Sequence, residues 1–203
     1  MKKKLKLNNI IVISDLNSIS PLGCRKNDII NAYINNKSKI SYSNTLNNKP
    51  VGIINDSESL KTIDFFLKDK HLKKIDRTAL LAIISSHNII NSLKSNKNIG
   101  VNIGSSRGAT TIFENIHKEF IIKGHSSIPV NTSPLTTLGN ISSEVANYFS
   151  INSINISHSV TCSTGLQALL NSIAYIKAGY TKKMLCGASE AANTDFVIAQ
   201  MDA

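Results

Sequence analysis

The chain has 203 residues, of which 41% are hydrophobic and 18% charged, a composition typical of a folded globular domain and not of a disordered one. The net charge of +10 favours acidic partners, but aromatic residues make up only 5% and do not alternate with basic ones, which argues against nucleic-acid binding. Three cysteines at spacings that fit neither a zinc site nor a disulfide framework, together with apolar runs far below the ~18 residues of a membrane helix, predict a reduced cytoplasmic protein without a metal or a membrane span.

Strand and helix patterns alternate along the chain, which predicts an α/β layer structure without internal repeats. The first apolar run, Ile10–Ile13, is predicted to be a buried strand that ends before the turn Ser20–Gly23 (SPLG). Residues 36–50 are rich in Asn, Ser and Lys and are predicted to form a surface loop. Asp76 is the expected N-cap of a helix of about 18 residues. Its buried face is predicted to carry residues at helical spacing, namely Leu80, Ile83, Ile84, His87 and Ile90.

From residue 98 onward, further strands alternate with helices. Apolar and polar residues alternate in Ile154–Val160, which indicates a strand with one buried face. In chain order, the expected elements are a strand at Asn98–Ile103, a helix through Phe120, a loop at Ser133-Pro134, a short helix around Ile141, Val145 and Tyr148/Phe149, the strand before Cys162, a helix to about Gly179, and a strand at Lys183–Ala188.

Cys162 stands where a predicted strand meets a predicted helix. That helix has an apolar stripe at helical spacing, formed by Leu166, Leu169, Leu170 and Ile173. The cysteine is therefore expected at a helix N-terminus, where unpaired backbone N–H groups favour a thiolate and can help to hold an oxyanion. The small residues Ser163–Gly165 would let an acyl thioester come close. Position alone also allows a buried structural cysteine, which is the commoner role of a lone cysteine.

Five blocks of the sequence form an ordered series. Thr161–Ala168 reads TCSTGLQA, and Ser20–Gly23 follows a short apolar run. The other three blocks are KIDR at Lys74–Arg77, GVNIGSSRG at Gly100–Gly108 and LCGASEA at Leu185–Ala191. Together they resemble, in order, the blocks of β-ketoacyl synthases, condensing enzymes of the thiolase superfamily, and Thr161–Ala168 resembles the active-site cysteine motif of that family.

The resemblance implies an α/β, thiolase-like fold, in which two similar βαβαβαββ halves form a five-layered αβαβα arrangement. Residues 1–203 are expected to be the N-terminal half, with the C-terminal half absent. The family's two catalytic histidines, its lysine and its second oxyanion donor belong to later blocks, and the five histidines here match none of them. His158, four residues before Cys162, is expected to have a structural role.

The resemblance also implies a reaction. Cys162 would accept an acyl group from a phosphopantetheine arm delivered by an acyl carrier protein, and no other cofactor is implied. Malonyl on a carrier protein would then lose CO₂ and attack the acyl group, giving a 3-ketoacyl product in fatty-acid or polyketide biosynthesis. Gly108 and Thr164 are assigned to substrate binding. This chain alone is expected to supply at most the acyl transfer, because half of the oxyanion hole is missing.

Arg107 is a departure from the pattern, and it is also assigned to substrate binding. It matches a position where fatty-acid members carry an apolar residue at the acyl pocket, and a guanidinium is costly to bury beside an alkyl chain. One interpretation is a short, polar or conjugated acyl group, as in the aryl polyene-type pigment branch that Ser133–Asn140 also resembles. The other is that Arg107 turns outward or pairs with a carboxylate.

Partners follow from charge and from the resemblance. Three lysines match basic positions at which family members bind acidic acyl carrier protein, namely Lys70, Lys73 and Lys74. The attraction between these lysines and the carrier protein would weaken as the salt concentration rises. Family members are dimers, so a homodimer or a heterodimer with another synthase is expected. Two alternatives stay open: a non-catalytic truncated or companion subunit, and a thiolase relative acting on coenzyme A thioesters. Chain-length-factor companions usually lack the cysteine, and the thiolase cysteine motif differs from Thr161–Ala168.

Overall fold

The computed structural model describes residues 10–93 and 98–203. Its helices, in chain order, are α1 (Lys26–Ile34), α2 (Ser57–Phe66), α3 (Arg77–Asn91), α4 (Thr110–Lys123), α5 (Thr132–Thr136), α6 (Asn140–Tyr148), α7 (Thr164–Lys177) and α8 (Asp195–Asp202). Its strands are β1 (Ile40–Ser43), β2 (Lys49–Gly52), β3 (Ile99–Gly104), β4 (Asn155–Ile156) and β5 (Lys183–Ala188). A single 3₁₀ turn at His125–Ser127 follows α4 within this part of the chain.

A parallel sheet in the order β4-β3-β5 forms the centre of the structure. β3 pairs with β5 from Ile99 opposite Lys183 to Gly104 opposite Ala188, and with β4 only at Val101 and Asn102. All six residues of β3 are buried. Strand β3 is buried throughout because α6 and α7 both pack against it, as expected for a parallel strand covered on both faces. The predicted α/β layering is therefore confirmed.

Helix α3 supplies much of the hydrophobic core. It begins after Asp76, whose Oδ1 accepts a hydrogen bond from the Thr78 N–H at 2.8 Å, so the predicted N-cap is confirmed. The helix has 15 residues, and the predicted face is buried apart from His87, which is half-buried. Further residues beside that face are buried too, because α2 and α6 pack against α3.

Two predictions from the first fifty residues are wrong. Ile10–Ile13 is neither a strand nor buried; Ile10 is 82% exposed, because the run has no hydrogen-bonded partner strand in the described residues. The segment predicted to be a loop contains the antiparallel hairpin β1-β2, in which Tyr42 lies opposite Pro50. Its turn contains Asn47 and Asn48, both with positive φ, a conformation that asparagine adopts more readily than most residues.

Most of the later elements agree with the predictions, but Ser133-Pro134, predicted to be a loop, lies within the short helix α5. The strand at Lys183–Ala188 has the predicted bounds, and α6 and α7 lie where the apolar spacing places them. The strand predicted at Ile154–Val160 is a correction, because only Asn155–Ile156 pairs with β3. After residue 156, side chains replace the ladder: the Ser157 hydroxyl donates to the Ile103 carbonyl at 2.9 Å.

Two features are absent from residues 10–93 and 98–203. No helix in these ranges is both long and apolar enough to cross a membrane. No group of three or more His, Cys, Asp or Glu side chains in the same ranges is arranged to hold a metal ion.

Candidate active site

The carboxyl ends of the three parallel strands meet at one edge of the sheet. The loop Ser105–Gly108 follows β3, the turn that contains Cys162 follows β4, and Ser189 with Glu190 follows β5. Ligand sites of open α/β sheets lie at this edge. The structure therefore brings the predicted catalytic cysteine and the three predicted substrate-binding residues to one end of the sheet.

Cys162 is a free, exposed thiol two residues before the first residue of α7, and Ser163 is the N-cap. The predicted location at a helix start is confirmed, and the alternative of a buried structural cysteine is excluded. Cys24 and Cys186 are both half-buried. Cys186 lies on β5, which has no further strand on its outer side in the described part of the chain.

The turn before α7 is held in an unusual backbone conformation. Thr161 has φ +46°, a region that β-branched residues rarely adopt. Its carbonyl oxygen accepts hydrogen bonds from Ser106 Oγ at 2.6 Å, from Thr164 Oγ1 at 2.7 Å and from Thr164 N–H at 3.2 Å. The Val160 carbonyl accepts from both the N–H and the hydroxyl of Ser163. These bonds hold the residues on both sides of Cys162 in place.

Thr164 is part of the turn itself. Its side chain is buried, and Oγ1 both donates to the Thr161 carbonyl and accepts from the Val160 N–H at 2.9 Å. The structure thus shows that its hydroxyl holds the turn, while its predicted contact with substrate stays a prediction. The N–H groups of Ser163 and Thr164 are also bonded within the turn, which corrects the expectation of wholly unpaired amides at this helix start.

Two glycines allow close packing around the site, Gly104 at the end of β3 and Gly108 in the loop that follows. A Cβ on Gly104 would lie 2.3 Å from Thr164 Cγ2 and 2.5 Å from the His158 carbonyl oxygen, so no other residue fits without displacing the backbone. Gly108 has φ +68°, and a Cβ there would lie 2.7 Å from Leu138 Cδ2. Gly108 therefore shapes the loop, and its predicted role in substrate binding stays a prediction.

Arg107 is half-buried in the loop after β3. Its Nη1 donates to Gln200 Oε1 on α8 at 2.5 Å. Its neighbour Ser106 donates through its hydroxyl to the Thr161 carbonyl and through its N–H to Glu190 Oε1. The guanidinium therefore pairs with a neutral amide, and none of the ion pairs in residues 10–93 and 98–203 involves it.

Lys70, Lys73 and Lys74 are exposed in the segment between α2 and α3. The described ion pairs involve none of the three. The segment is anchored by buried Leu72 and by a contact of 2.8 Å between His71 Nε2 and Glu144 Oε2. The segment that carries the basic surface of these three lysines is therefore anchored to the rest of the fold.

The same segment continues into residues that contact the loops at the carboxyl ends of the strands. Asp76 Oδ2 accepts from the Ile112 N–H at 3.2 Å, near the start of α4. The Thr78 hydroxyl donates to the Gly108 carbonyl at 3.0 Å, and the Thr78 carbonyl accepts from the Ser189 hydroxyl at 2.7 Å. The basic surface therefore lies next to the loops that surround Cys162.

One polar pair behind the turn was not predicted from the sequence. His158 Nδ1 lies 3.1 Å from Oδ1 of Asn102, a fully buried residue in the middle of β3. His158 Nε2 lies 3.2 Å from the Thr164 carbonyl oxygen. A signal was present, since Asn102 interrupts an otherwise apolar and glycine-rich strand, and a buried amide requires partners.

Comparison with known proteins identifies the family. The family model described as "Beta-ketoacyl synthase, N-terminal domain" matches residues 18–203. The chain belongs to the β-ketoacyl synthase family. A curated relative, the 3-oxoacyl-[acyl-carrier-protein] synthase 2 of Synechocystis sp., is 29% identical over 135 residues, which are 64% of this chain and 32% of the relative. The family predicted from the five sequence blocks is therefore confirmed.

Solved structures of ketosynthases share the fold. The ishigamide ketosynthase/chain length factor superposes with a TM-score of 0.75 at 16% identity, over 92% of this chain and 55% of that one. A type II polyketide ketosynthase solved in complex with its acyl-carrier protein gives 0.69 at 18% identity, over 92% and 52%. A ketosynthase (ApeO) in complex with its chain length factor (ApeC) from Xenorhabdus doucetiae gives 0.60 at 11%, over 83% and 63%. The predicted thiolase-like fold is confirmed, and this β-ketoacyl synthase chain spans about one third of the curated relative it matches and about half to two thirds of these structures.

Proposed function

We propose that this chain carries the acyl-accepting site of a β-ketoacyl synthase and that Cys162 is its nucleophile. The observation that supports this most directly is the exposed thiol at the start of α7, at the carboxyl edge of a parallel sheet. The thiolate is the reactive form of a cysteine. A rigid turn with small neighbours leaves the sulfur open to an incoming thioester.

The proposed step is a transthioesterification. The Cys162 thiolate attacks the carbonyl carbon of an acyl thioester, and a tetrahedral oxyanion forms beside the Cys162 backbone N–H. The oxyanion collapses, the new C–S bond to Cys162 remains, and the bond to the phosphopantetheine sulfur breaks. The departing phosphopantetheine thiolate takes up a proton from solvent, which balances the proton that Cys162 lost. The step therefore requires neither an oxidant nor a metal.

In the complete reaction, malonyl on an acyl carrier protein would lose CO₂, and the resulting carbanion would attack the acyl-Cys162 thioester. The product would be a 3-ketoacyl-acyl carrier protein of fatty-acid, polyketide or aryl polyene biosynthesis. In the family this second step uses histidines of later blocks, so we assign only the first step to the residues described here. The phosphopantetheine arm of the carrier is the one cofactor that the proposal requires, and three free thiols are consistent with a cytoplasmic setting.

Arg107, Gly108 and Thr164 are proposed to line the acyl-binding side of the site. Gly108 and Thr164 would act by setting the backbone of the loop and of the turn. Arg107 is the residue that would select the acyl group. Its guanidinium is held near the site by the amide of Gln200, so we expect short, polar or conjugated acyl groups to be accepted before long alkyl chains.

Acyl transfer is tested by incubating the protein with an acyl-carrier thioester and measuring the intact mass, followed by a peptide map. We expect one acyl group, on Cys162, and none on the half-buried Cys24 and Cys186. Cys162→Ala is expected to abolish the adduct, whereas the control Cys24→Ala is expected to retain it. Labelling confined to Cys24 or Cys186 would contradict the proposal.

The carrier-binding surface is proposed to be formed by Lys70, Lys73 and Lys74. Their exposure, their lack of a carboxylate partner among the described ion pairs and their position beside the site loops all suit an acidic carrier protein. Substitution of all three lysines by Glu is expected to weaken carrier binding at low salt by about tenfold or more. The matched control reverses three exposed lysines near the opposite edge of the sheet, Lys177, Lys182 and Lys183. Equal affinities of the two triple variants at low salt would dismiss the assignment.

A second candidate function is that of a non-catalytic companion that pairs with another synthase chain. The observation that favours it is the exposed apolar surface of α4, where Phe113, Ile121 and Ile122 lie uncovered in the described structure. Large exposed apolar patches mark surfaces that another protein covers. Sedimentation of the protein alone is expected to show a dimer, and Ile122→Glu is expected to shift it toward monomer. A wild-type monomer that still acylates Cys162 would leave the catalytic proposal in place and remove this one.

A further inference from the structure

The polar pair formed by Asn102 and His158 lies behind the Cys162 turn. His158 lies in the segment after β4, four residues before Cys162, and is half-buried. One of its ring nitrogens contacts Asn102 in the middle of β3, and the other contacts the Thr164 carbonyl in the first turn of α7. The ring therefore connects the central strand to the helix that begins beside the thiol.

The orientation of Asn102 is fixed by its other contacts. Its Nδ2 donates to the Ala168 carbonyl at 3.0 Å, and it lies 3.4 Å from Ser172 Oγ. The Ser172 hydroxyl itself donates to the Ala168 carbonyl at 2.7 Å, so it has a lone pair free for Asn102. The amide oxygen of Asn102 must therefore face His158 and can only accept a hydrogen bond from the ring.

Asn102 and His158 together hold α7 at two consecutive turns. Asn102 donates to the Ala168 carbonyl directly, and the His158 ring lies between the Asn102 amide oxygen and the Thr164 carbonyl oxygen. Carbonyls four residues apart lie one above the other on a helix, so both contacts lie on the face of α7 that packs on β3. The first of these turns is the one whose Thr164 hydroxyl and N–H fix the Thr161 carbonyl, one residue before Cys162.

We infer that His158 is a positioning residue for the nucleophile, which it holds through Thr164 and the turn. It makes no hydrogen bond to Cys162 in the described structure, and its two ring nitrogens are occupied by Asn102 and Thr164, so it is not assigned as the base. A displacement of the nucleophile by about 1 Å is enough to reduce a rate by two orders of magnitude. This inference rests on the proposed function, because it concerns the geometry of the acyl-accepting thiol.

A neutral imidazole donates through one nitrogen only, whereas both of its contacts here are acceptors. Two substitutions separate these contacts. His158→Asn keeps a donor close to the ring position that meets Asn102, and His158→Gln keeps a donor close to the position that meets Thr164. His158→Leu removes both donors and keeps the approximate volume. Of the two contacts, the one to Thr164 acts on the turn, so Gln is expected to preserve the nucleophile better than Asn.

Two rates are measured for each variant. The first is the single-turnover rate of acyl transfer to Cys162 from an acyl-carrier thioester, and the second is the rate at which iodoacetamide alkylates Cys162. His158→Leu is expected to slow acyl transfer by about tenfold or more, His158→Gln to stay within about threefold of wild type, and His158→Asn to lie between them. Labelling of the half-buried Cys186 in the same samples reports whether the fold is intact. His125→Leu, at an exposed histidine of the 3₁₀ turn after α4, is the matched control and is expected to react like wild type.

Each outcome decides a different point. Wild-type rates in His158→Leu would overturn the inference. If that variant does not fold, as faster Cys186 labelling would show, the Gln and Asn variants decide, and equal rates in these two would overturn it. If wild-type Cys162 accepts no acyl group, the proposed function fails, whereas the alkylation rates still report whether His158 positions the thiol.

Discussion

Helices α3 and α4 are similar in length and in their content of large apolar residues, yet their surroundings are opposite. Nine residues of α3 are buried, and none of α4 is. Helix α3 begins at a side-chain cap, Asp76, and packs between neighbouring helices, whereas α4 begins at Ala109 without a side-chain cap bond. An apolar sequence therefore predicts a helix in both places, but only the neighbours decide whether the apolar side chains are covered. The exposed face of α4 agrees with the proposed pairing to a second synthase chain.

The largest difference is expected between two isoleucines. Ile83 of α3 is fully buried, and Ile122 of α4 is 79% exposed. Ile83→Ala is expected to lower the free energy of unfolding by about 2–5 kcal/mol, because it removes buried methyl groups and leaves a cavity. Ile122→Ala is expected to change it by less than about 0.5 kcal/mol, as for an exposed site. Chemical denaturation of both variants measures the contrast. Similar losses in the two variants would show that α4 is covered in solution.

An intermediate effect is expected at Asp76, which joins the two helices. Its carboxylate accepts from the Thr78 N–H of α3 and from the Ile112 N–H of α4. Asp76→Ala is expected to cost about 1–3 kcal/mol, since it removes a helix cap and leaves a buried N–H group unpaired. Asp76→Asn keeps one oxygen acceptor and should cost less. Faster hydrogen exchange at both Thr78 and Ile112 is the expected signature, and faster exchange at Thr78 alone would show that the link to α4 is not made.

The smallest effect is expected at a second cap, Asp56, before α2. Partial burial alone would raise the pKa of Asp56, but the hydrogen bond that its Oδ1 accepts from the Ser59 N–H at 2.8 Å helps to hold its pKa below the ordinary value of 3.8. A lowered folded-state pKa stabilises the fold above the unfolded value and loses that contribution as the pH falls through the folded value. Thermal unfolding from pH 6 to pH 2 should therefore show a steeper acid loss in wild type than in Asp56→Asn, by less than the ~1 kcal/mol of a typical cap. Parallel curves would contradict the assignment.

The parts of the structure that could be predicted are those set by neighbouring residues. The cap at Asp76, the location of α7 and the position of Cys162 between a strand and a helix all follow from residues within one or two turns of each other. The apolar stripe of α7 does not mark its buried face, because Leu166 and Leu170 are exposed. Ile10–Ile13 has the composition of a buried strand, but a strand also requires a partner, and no strand in the described residues pairs with this run. The many polar residues of 36–50 predict a loop, although Asn47 and Asn48 suit the turn of a hairpin.

The parts of the candidate site that could not be predicted depend on pairs that are distant in sequence. Asn102 and His158 are 56 residues apart, and Arg107 and Gln200 are 93 apart. No spacing rule connects such positions, because only the tertiary fold brings them together. The block resemblance indicated which residues belong to the site, and the tertiary structure indicated which partners each one has.

The closeness of Gly104 to the nucleophile turn has a consequence for directed evolution. Any side chain at residue 104 would overlap Thr164 and the His158 carbonyl and would wedge α7 away from β3. A saturation library at this codon, selected for thioester turnover, should return glycine alone, even when alanine variants remain folded. Activity screens would then find residue 104 invariant because no space is left for a side chain, although glycine supplies no chemical group to the reaction.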